Sequence, residues 1–341
     1  MDIQHNVSLK DFSTMHLGGT AAHLVTVSSK DGLESALAWA EENNCPVLVV
    51  GEGSNIIWRD GLYNGLVIVN RILGLEKTEE DVESVTYKIG GGEMWDSVVE
   101  QLVGENLSGI EFLSLIPGTA GATPVQNVGA YGQEIANTLV ELEAYDVKEK
   151  RYVVLKAADC NFAYRDSRFK SKDKGRFYIC SITLKLEKKN PEPPFYAALE
   201  AYLKEHEISE YTPRTIRQAV IAIRSFKLPD WRVTANTGSF FGNPIISAEK
   251  YEALKSTYES IVGWDHEGDY KISAGWLIEA AGFKGYHDED TGMATFDHSA
   301  LVLINERAGS TADLIKFRDK IILKVEEMFG ITLEQEPELL P

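Results

Sequence analysis

The feature that most constrains this chain is an uncharged, glycine-rich segment near its middle. Residues 116–132, IPGTAGATPVQNVGAYG, contain four glycines and two prolines, and no charged residue occurs from Phe112 to Gln133 although 25% of the chain is charged. Glycine lets backbone amides approach a ligand closely, and proline stiffens a loop. Two interpretations remain open: a loop that holds its amides against a large flat cofactor, or an irregular buried loop that connects two layers.

Length and composition narrow the class of protein. The 341 residues, 44% of them hydrophobic, suffice for two or three domains. A net charge of −18 argues against a nucleic-acid partner, and an anionic ligand would have to be bound by the few basic residues near the glycine-rich parts. The three cysteines and seven histidines show no metal-binding spacing, so no metal site is expected and the cysteines are predicted to be reduced.

The sequence shows no membrane segment or targeting signal. No apolar run approaches the ~20 residues that span a bilayer, and the N-terminal residues lack the features of a signal peptide. We therefore expect a cytoplasmic protein that needs neither a membrane nor an obligate protein partner.

A predicted strand at 47–50, VLVV, leads directly into the turn Gly51-Glu52-Gly53-Ser54-Asn55. Such a turn can present consecutive N–H groups to an anion, and Ser54 and Asn55 add side-chain donors. It is not a dinucleotide-binding fingerprint, because the third glycine and the following helix are missing. A plain turn is the alternative interpretation.

The remaining pattern predicts an α+β first half and a more helical second half. A second glycine turn follows the predicted strand 84–89, and a helix is expected from Glu93 to near Gly104. The composition of 187–194, EKKNPEPP, is typical of a linker. The other predicted strands are 22–28, 66–70, 140–146, 151–155, 176–186, 300–304 and 331–333. The other predicted helices are 31–43, 209–226, 247–262, 273–281 and 310–329.

Three polar positions are candidates for chemistry. Ser239, in NTGSFFGNP, lacks the spacing of an acyl-transfer nucleophile but could act as a general acid, or simply satisfy a turn. Arg165, in YRDS, could bind a carboxylate or a developing enolate, or pair with Asp166 at the surface. The C-terminal LEQEPE holds three glutamates, which are either a solvated tail or include one that reaches inward from a strand.

Eight motifs in one order make the chain resemble the UDP-N-acetylenolpyruvoylglucosamine reductase family over nearly its whole length. They are GEGSN, GGGEMW, IPGTAGATPVQNVGAYG, YRDSRFK, IRSFKLPD, NTGSFFGNP, SAGWLIEAAGFKG and ALVLIN. The resemblance implies an α+β, FAD-binding fold of the vanillyl-alcohol-oxidase type. It would comprise FAD-binding subdomains at 1–70 and 71–208 and a substrate domain at 209–330, with a C-terminal strand within 331–341 returning to the first subdomain.

The same resemblance implies a function. NADPH would reduce a noncovalently bound FAD, and the flavin would reduce UDP-N-acetylglucosamine-enolpyruvate to UDP-N-acetylmuramate for peptidoglycan synthesis. The segment around Tyr196 is similar to that of the family's longer type, in which a tyrosine loop closes over the substrate.

Residue roles are carried over from the family position by position. Ser239 would protonate C2 of the enolpyruvyl group, Arg165 would lie near flavin and substrate, and Glu336 would be the catalytic glutamate. The expected substrate contacts are Tyr196, Lys227 and Asn243. The expected FAD contacts are Gly51, Gly53, Ser54, Asn55, Pro117, Gly118, Gly121, Ala122, Gln126, Asn127, Gly129, Ala130 and Tyr131.

The assignment of the glutamate depends on the count of residues. A gapless count from Phe329-Gly330-Ile331 selects Glu336, whereas the Pro-Glu pair would favour Glu338; we choose Glu336, because a strand's alternation tolerates no arbitrary insertion. The chain departs from the family at Ser299, where a glutamine is frequent, and lacks the usual basic residue soon after Glu336.

Two other classes of function compete with this one. An FAD oxidase of small alcohols or sugars could share the fold, but such enzymes often tether flavin through His or Cys, and neither occurs in the glycine turns. A non-catalytic nucleotide-sugar binding module could also keep the fold. Arg165, Ser239 and a terminal glutamate argue against it.

Overall fold

The computed structural model describes residues 1–341. Its seven α-helices are α1 (Lys30–Glu42), α2 (Trp95–Gly104), α3 (Ala197–Glu205), α4 (Pro213–Lys227), α5 (Ala248–Thr257), α6 (Ala274–Ala280) and α7 (Thr311–Phe329). None of them combines the length and apolar character required to span a membrane.

Twenty strands form six small sheets. The strands before residue 190 are β1 (Gln4–Ser8), β2 (Thr20–Val27), β3 (Val47–Val50), β4 (Ile56–Trp58), β5 (Leu62–Asn70), β6 (Leu75–Glu80), β7 (Ser84–Gly90), β8 (Gly129–Ala130), β9 (Gln133–Glu134), β10 (Leu139–Asp146), β11 (Arg151–Lys156) and β12 (Phe177–Glu187). The later strands are β13 (Ala235–Ser239), β14 (Ile245–Ile246), β15 (Gly263–His266), β16 (Asp269–Ile272), β17 (His287–Asp288), β18 (Met293–Phe296), β19 (Ser299–Asn305) and β20 (Glu338–Leu340).

The chain divides into two compact units. The first unit comprises Met1–Val7, Ala21–Glu52 and Asn64–Arg224, and the second comprises Ser8–Thr20, Gly53–Tyr63 and Ser225–Pro341. The predicted linker at 187–194 begins at the last residue of β12 and ends before α3, and both elements belong to the first unit. The three-part division drawn from the sequence stays a prediction.

Two larger sheets and the β8–β9 hairpin build the first unit. One has the order β1-β2-β5-β3, with β3 and β5 parallel, and the other has the antiparallel order β11-β10-β12-β7-β6. Helix α1 buries Leu33, Ala36 and Ala40 at helical spacing in the same core as the first sheet, and the Ser29 side chain caps its N-terminus. Helix α2 shares the core of the five-stranded sheet, and helices α3 and α4 form a separate apolar cluster with each other.

The second unit packs helices on small sheets. Its main sheet has the order β13-β19-β18-β17, and helices α6 and α7 share the core beneath it. Helix α7 begins with a capping box between Ser310 and Asp313 and ends at Gly330, whose φ of +62° allows the chain to leave the helix. The predicted helices at 209–226, 247–262, 273–281 and 310–329 and the strand at 300–304 are thus confirmed, with shifted ends.

The predicted strand at 331–333 is wrong. Ile331 and Leu333 are buried while Thr332 is exposed, so the alternation that suggested a strand reflects packing into the core without sheet pairing. The C-terminal strand is β20, which pairs in parallel with β4, Glu338 opposite Ile56.

Candidate active site

A cavity of about 110 Å³ in the first unit lies at the uncharged loop. It forms where β3 ends, where the loop crosses the unit, and where β12 begins. Its lining residues are Val49, Val50, Gly51, Asn70, Thr119, Gly121, Ala122, Val125, Phe177, Tyr178 and Ile179. No charged side chain lines the cavity, as expected for a surface that receives a flat organic group.

Glycines allow the walls of this cavity to approach each other. A Cβ on Gly51 would lie 2.3 Å from the Thr119 hydroxyl, and one on Gly121 would lie 2.9 Å from the Gly91 Cα. The Gly121 N–H donates to the Gly91 carbonyl at 2.9 Å, which ties the loop to the second glycine turn. Side chains at these two positions would push the walls apart, so their glycines are required by close backbone approach.

The turn after β3 is joined to the loop by a carboxylate. The Gly118 N–H donates to Glu52 Oε2 at 2.7 Å, and Arg71 Nη1 donates to the Gly51 carbonyl at 2.9 Å. One of the loop amides predicted to contact the cofactor is therefore occupied in this structure. Sequence reasoning missed Glu52, because an acidic residue within an anion-binding type of turn gives no signal of such a bond.

Asn127 supports the shape of the loop. It is buried, with φ at +48°; its Nδ2 donates to Glu134 Oε2 at 2.7 Å and to the Ala163 carbonyl at 3.1 Å, and its Oδ1 accepts from the Ala136 N–H at 3.3 Å. These bonds fix the segment that carries Gly129 and Tyr131. A direct contact of Asn127 with a cofactor stays a prediction, as do contacts of Pro117 and Gln126.

A two-residue hairpin presents Tyr131. Strands β8 and β9 are joined by Tyr131 and Gly132, whose φ angles of +51° and +85° are those favoured by tight hairpin turns. The Tyr131 ring packs edge-on against that of Tyr196, with 5.9 Å between the ring centroids. The structure therefore brings one predicted cofactor contact beside one predicted substrate contact.

Arg165 is held at the same hairpin. Its φ is +53°, and Ala163 and Asp166, on either side, exchange both backbone hydrogen bonds. Arg165 Nη2 donates to the Gly129 carbonyl at 2.8 Å. A Cβ on Gly129 would lie 3.1 Å from Arg165 Nη1, so glycine there leaves room for the guanidinium. Strained backbone at a polar residue is typical of functional sites.

In the second unit, Ser239 ends strand β13 and is exposed. The preceding turn is shaped by Asn236, whose Nδ2 donates to the Pro229 and Thr234 carbonyls and whose Oδ1 accepts from the Gly238 N–H at 2.8 Å. Sequence reasoning gave Asn236 no role; the only signal was its place two residues before a glycine.

The C-terminal glutamates diverge in their positions. The Glu336 N–H donates to the Phe240 carbonyl at 2.9 Å, and the Gly242 N–H donates to the Glu334 carbonyl at 3.0 Å, so this segment pairs with the residues that directly follow Ser239. A Cβ on Gly242 would lie 3.7 Å from Glu336 Oε1. The Glu338 N–H instead donates to the Asn55 carbonyl at 3.0 Å.

The predicted substrate residues of the second unit differ in their local roles. Asn243 Oδ1 accepts from the Ala274 N–H at 2.9 Å and so helps to begin helix α6. Lys227 is exposed at the end of helix α4. Substrate contacts of the Asn243 amide nitrogen and the Lys227 amine stay predictions.

The backbone around Gly53 requires a glycine at that position of the turn. With φ at +79°, a Cβ on Gly53 would lie 2.1 Å from the Phe12 carbonyl oxygen, and the Gly53 carbonyl accepts from the Thr14 N–H at 3.2 Å. Gly53 is therefore required by the neighbouring backbone even without a ligand. Its predicted role in cofactor approach cannot be separated from this packing by substitution.

The site residues predicted from the sequence fall in both units. The first unit contains Gly51, Pro117, Gly118, Gly121, Ala122, Gln126, Asn127, Gly129, Ala130, Tyr131, Arg165 and Tyr196. The second unit contains Gly53, Ser54, Asn55, Lys227, Ser239, Asn243 and Glu336.

Two family models match the chain. Residues 21–153 match an FAD binding domain, and residues 230–340 match the C-terminal domain of UDP-N-acetylenolpyruvoylglucosamine reductase. The FAD match covers the glycine turn, the uncharged loop and most of the cavity wall. The uncharged lining and the close-packed glycines of that cavity fit the flat ring system of FAD.

Relatives of full length carry the reductase name. The UDP-N-acetylenolpyruvoylglucosamine reductase of Alcanivorax borkumensis is 39% identical over 98% of this chain and 96% of its own length. That of Bdellovibrio bacteriovorus is 37% identical over 99% of both chains.

A solved structure has the same fold. The crystal structure of UDP-N-acetylenolpyruvylglucosamine reductase from Thermus caldophilus is 23% identical, with a TM-score of 0.68 over 100% of both chains. The predicted α+β, FAD-binding fold with a substrate domain is thus confirmed. On its sequence identity to full-length relatives, this chain belongs to the UDP-N-acetylenolpyruvoylglucosamine reductase family.

Proposed function

We propose that this protein catalyses the NADPH-dependent reduction of UDP-N-acetylglucosamine-enolpyruvate to UDP-N-acetylmuramate. Full-length relatives named for this reaction support the proposal. The structural observation that carries it is the hydrogen bond from the Glu336 N–H to the carbonyl of Phe240, the residue that follows Ser239, since Glu336 and Ser239 are the two side chains to which we assign proton handling. The product would serve peptidoglycan synthesis in the cytoplasm, and through it cell shape and division.

The cofactor would be noncovalent FAD, which when bound supplies hydride transfer from NADPH to C3 of the enolpyruvyl group. The residues proposed to hold it are the turn Gly51–Asn55 and the loop 117–131. The glycine-walled cavity supports this placement, because the walls are shaped by positions at which a Cβ would collide with neighbouring atoms.

Ser239 would donate the proton to C2. Its exposure at the end of β13 leaves the hydroxyl accessible to a substrate, as a general acid requires. Glu336, whose N–H donates to the carbonyl of Phe240, the residue after Ser239, would orient the site and help the proton move.

Arg165 would stabilise the negative charge that spreads from C2 into the substrate carboxylate. A guanidinium remains charged at every physiological pH and can bind a carboxylate through two parallel hydrogen bonds. The bond to the Gly129 carbonyl and the constrained turn support this role, because they hold the cation in one orientation before substrate arrives. Tyr196, Lys227 and Asn243 would bind the rest of the UDP-sugar.

A half-reaction experiment tests the function. The purified protein should be yellow, should release flavin on heating, and should be bleached by NADPH under anaerobic conditions without any sugar. Addition of the UDP-sugar should then restore the oxidised spectrum, and steady-state double-reciprocal plots should be parallel. Oxygen-driven turnover of an alcohol with no response to the UDP-sugar would favour the oxidase alternative, and colourless protein would favour a binding module.

A further inference from the structure

Arg224 is a cation that forms no ion pair in the first unit. It lies on helix α4, seven residues after Arg217, and therefore on the same face of the helix. Arg217 binds Asp96 through two hydrogen bonds of 2.6 and 3.2 Å. Arg224 forms no ion pair with any carboxylate of the chain, and its Nε is shielded from solvent without a hydrogen-bond partner.

The carboxylate that acts on the charge of Arg224, that of Asp96, already has other hydrogen-bond donors. Asp96 Oδ1 accepts from Arg217 and also from the Leu115 N–H at 2.6 Å. Arg224 reaches only the Leu115 carbonyl, through a 3.4 Å contact from Nη2. That contact lies at the long limit of a hydrogen bond, so it can be exchanged at little cost.

The surroundings of Arg224 are those of the proposed active site. Burial lowers the pKa of Arg224, Tyr131 and Asp96 act in the opposite direction, and Arg165 lowers it further. Two arginines that repel one another, and a tyrosine that packs against Tyr196, thus share one region of the first unit. Leu115, to which Arg224 bonds, has φ at +57° and leads directly into the uncharged loop.

A partly buried charge whose donor is shielded from water and has no partner destabilises the protein that contains it. Such a group persists where a ligand supplies the missing charge, and the Nε and Nη2 edge of a guanidinium is a fork that matches two oxygens of a carboxylate or phosphate. In a chain of net charge −18, an arginine without an ion pair can still attract an anion against the overall field.

We propose that Arg224 is an anion-binding residue that pairs with an oxyanion of the UDP-sugar. The inference rests on the proposed function and adds a substrate contact to it. The oxyanion has two possible sources, the diphosphate and the enolpyruvyl carboxylate, which share the same chemistry. The Nε gains its partner when the side chain exchanges its contact with Leu115 for the ligand.

Calorimetric titration of the FAD-loaded protein separates the sources. Arg224→Met should weaken binding of the complete UDP-sugar by about 10-fold or more, as expected for loss of a charge-assisted hydrogen bond. If UDP alone is weakened equally, the diphosphate is the partner; if UDP binds normally, the carboxylate is. Arg224→Lys, which keeps the charge without the fork, should restore part of the affinity, and Arg214→Met, at an exposed position of the same helix, should change neither ligand.

Melting temperature provides an independent readout. Arg224→Met should melt at the same or a higher temperature than the parent without substrate, because an unpaired cation has been removed. Arg217→Met should melt lower, because it leaves Asp96 without its cation. Unchanged binding by Arg224→Met, or a loss of melting temperature equal to that of Arg217→Met, would overturn the proposal. If the parent protein itself binds neither UDP nor the UDP-sugar, the proposed function fails instead.

Discussion

The Glu336 N–H and the Phe240 carbonyl form a 2.9 Å hydrogen bond, which aligns the C-terminal segment with the residue that follows Ser239. Two residues further on, the Glu338 N–H donates to Asn55, and Glu338 begins the strand that pairs with β4. The backbones of the two glutamates are therefore fixed by different neighbours, although only Pro337 lies between them in the sequence. This geometry favours Glu336 as the glutamate that acts with Ser239.

Glu336→Gln should slow reoxidation of the reduced enzyme by the UDP-sugar by at least ~10²-fold, the usual contribution of a group that moves a proton. It should leave reduction by NADPH nearly unchanged, because that step needs no proton from this side of the site. Glu338→Gln is the matched control and should behave as the parent in both half-reactions. A crippled Glu338→Gln beside a healthy Glu336→Gln would reverse the assignment.

Ser239→Ala should show the same asymmetry. Removal of a general acid costs ~10²–10⁴-fold, or roughly 3 to 5 kcal/mol of barrier, and only the step that protonates C2 should bear it. Stopped-flow absorbance of the flavin follows each half-reaction separately. A comparable loss in the NADPH half-reaction would falsify the proton-donor role, because it would point to a general distortion of the site.

The local patterns were the most reliable part of the sequence. Helix α7 was predictable because all its signals lie within one stretch of sequence. Ser310 marks its beginning, the spacing of the apolar residues marks its buried face, and Gly330 marks its end. The uncharged loop was likewise visible in the sequence, since the absence of charge over more than twenty residues is a local property. The structure decides that part of this loop lines a cavity.

Contacts between residues that are far apart in the sequence could not be predicted. Ile331 and Leu333 alternate with polar residues as a strand would, yet the C-terminal strand forms seven residues after Ile331, where Glu338 pairs with Ile56. Nothing near Gly53 in the sequence indicates that it must clear the Phe12 carbonyl. Arg224 resembles any helix arginine until Arg217 is seen to occupy the one carboxylate nearby.

The ion pair between Asp146 and Arg176 predicts how acid affects stability. Arg176 Nη2 donates to Asp146 Oδ2 at 2.7 Å, and this bond holds the pKa of the buried Asp146 carboxyl below its ordinary value of 3.8. A carboxyl with a lowered pKa in the folded state stabilises the fold above its unfolded pKa, and this stabilisation is lost as the pH falls through the folded value.

Asp146→Asn should therefore lower the melting temperature at pH 7, and the difference from the parent should shrink below about pH 4, where the parent's own carboxyl becomes protonated in the unfolded chain. Thermal unfolding followed by circular dichroism between pH 7 and pH 3 measures this. Asp290→Asn, at an exposed position, is a suitable control. A difference that grows on acidification would contradict the prediction.

The cofactor site is best tested at Ala122. A substitution at Gly53 would disturb the Phe12 backbone whether or not flavin is bound, whereas Ala122 lines the cavity with an exposed side chain and packs into no core. Ala122→Phe should fill much of the roughly 110 Å³ cavity and so exclude the cofactor without unfolding the protein.

The ratio of flavin absorbance to protein absorbance in the purified Ala122→Phe variant should fall at least several-fold. Added FAD should stabilise the variant less than the parent, because a lower affinity reduces the stabilisation by ligand. Ala38→Phe, at an exposed position of helix α1, should retain its full flavin content. A yellow Ala122→Phe protein with parental FAD content would show that the flavin does not occupy this cavity.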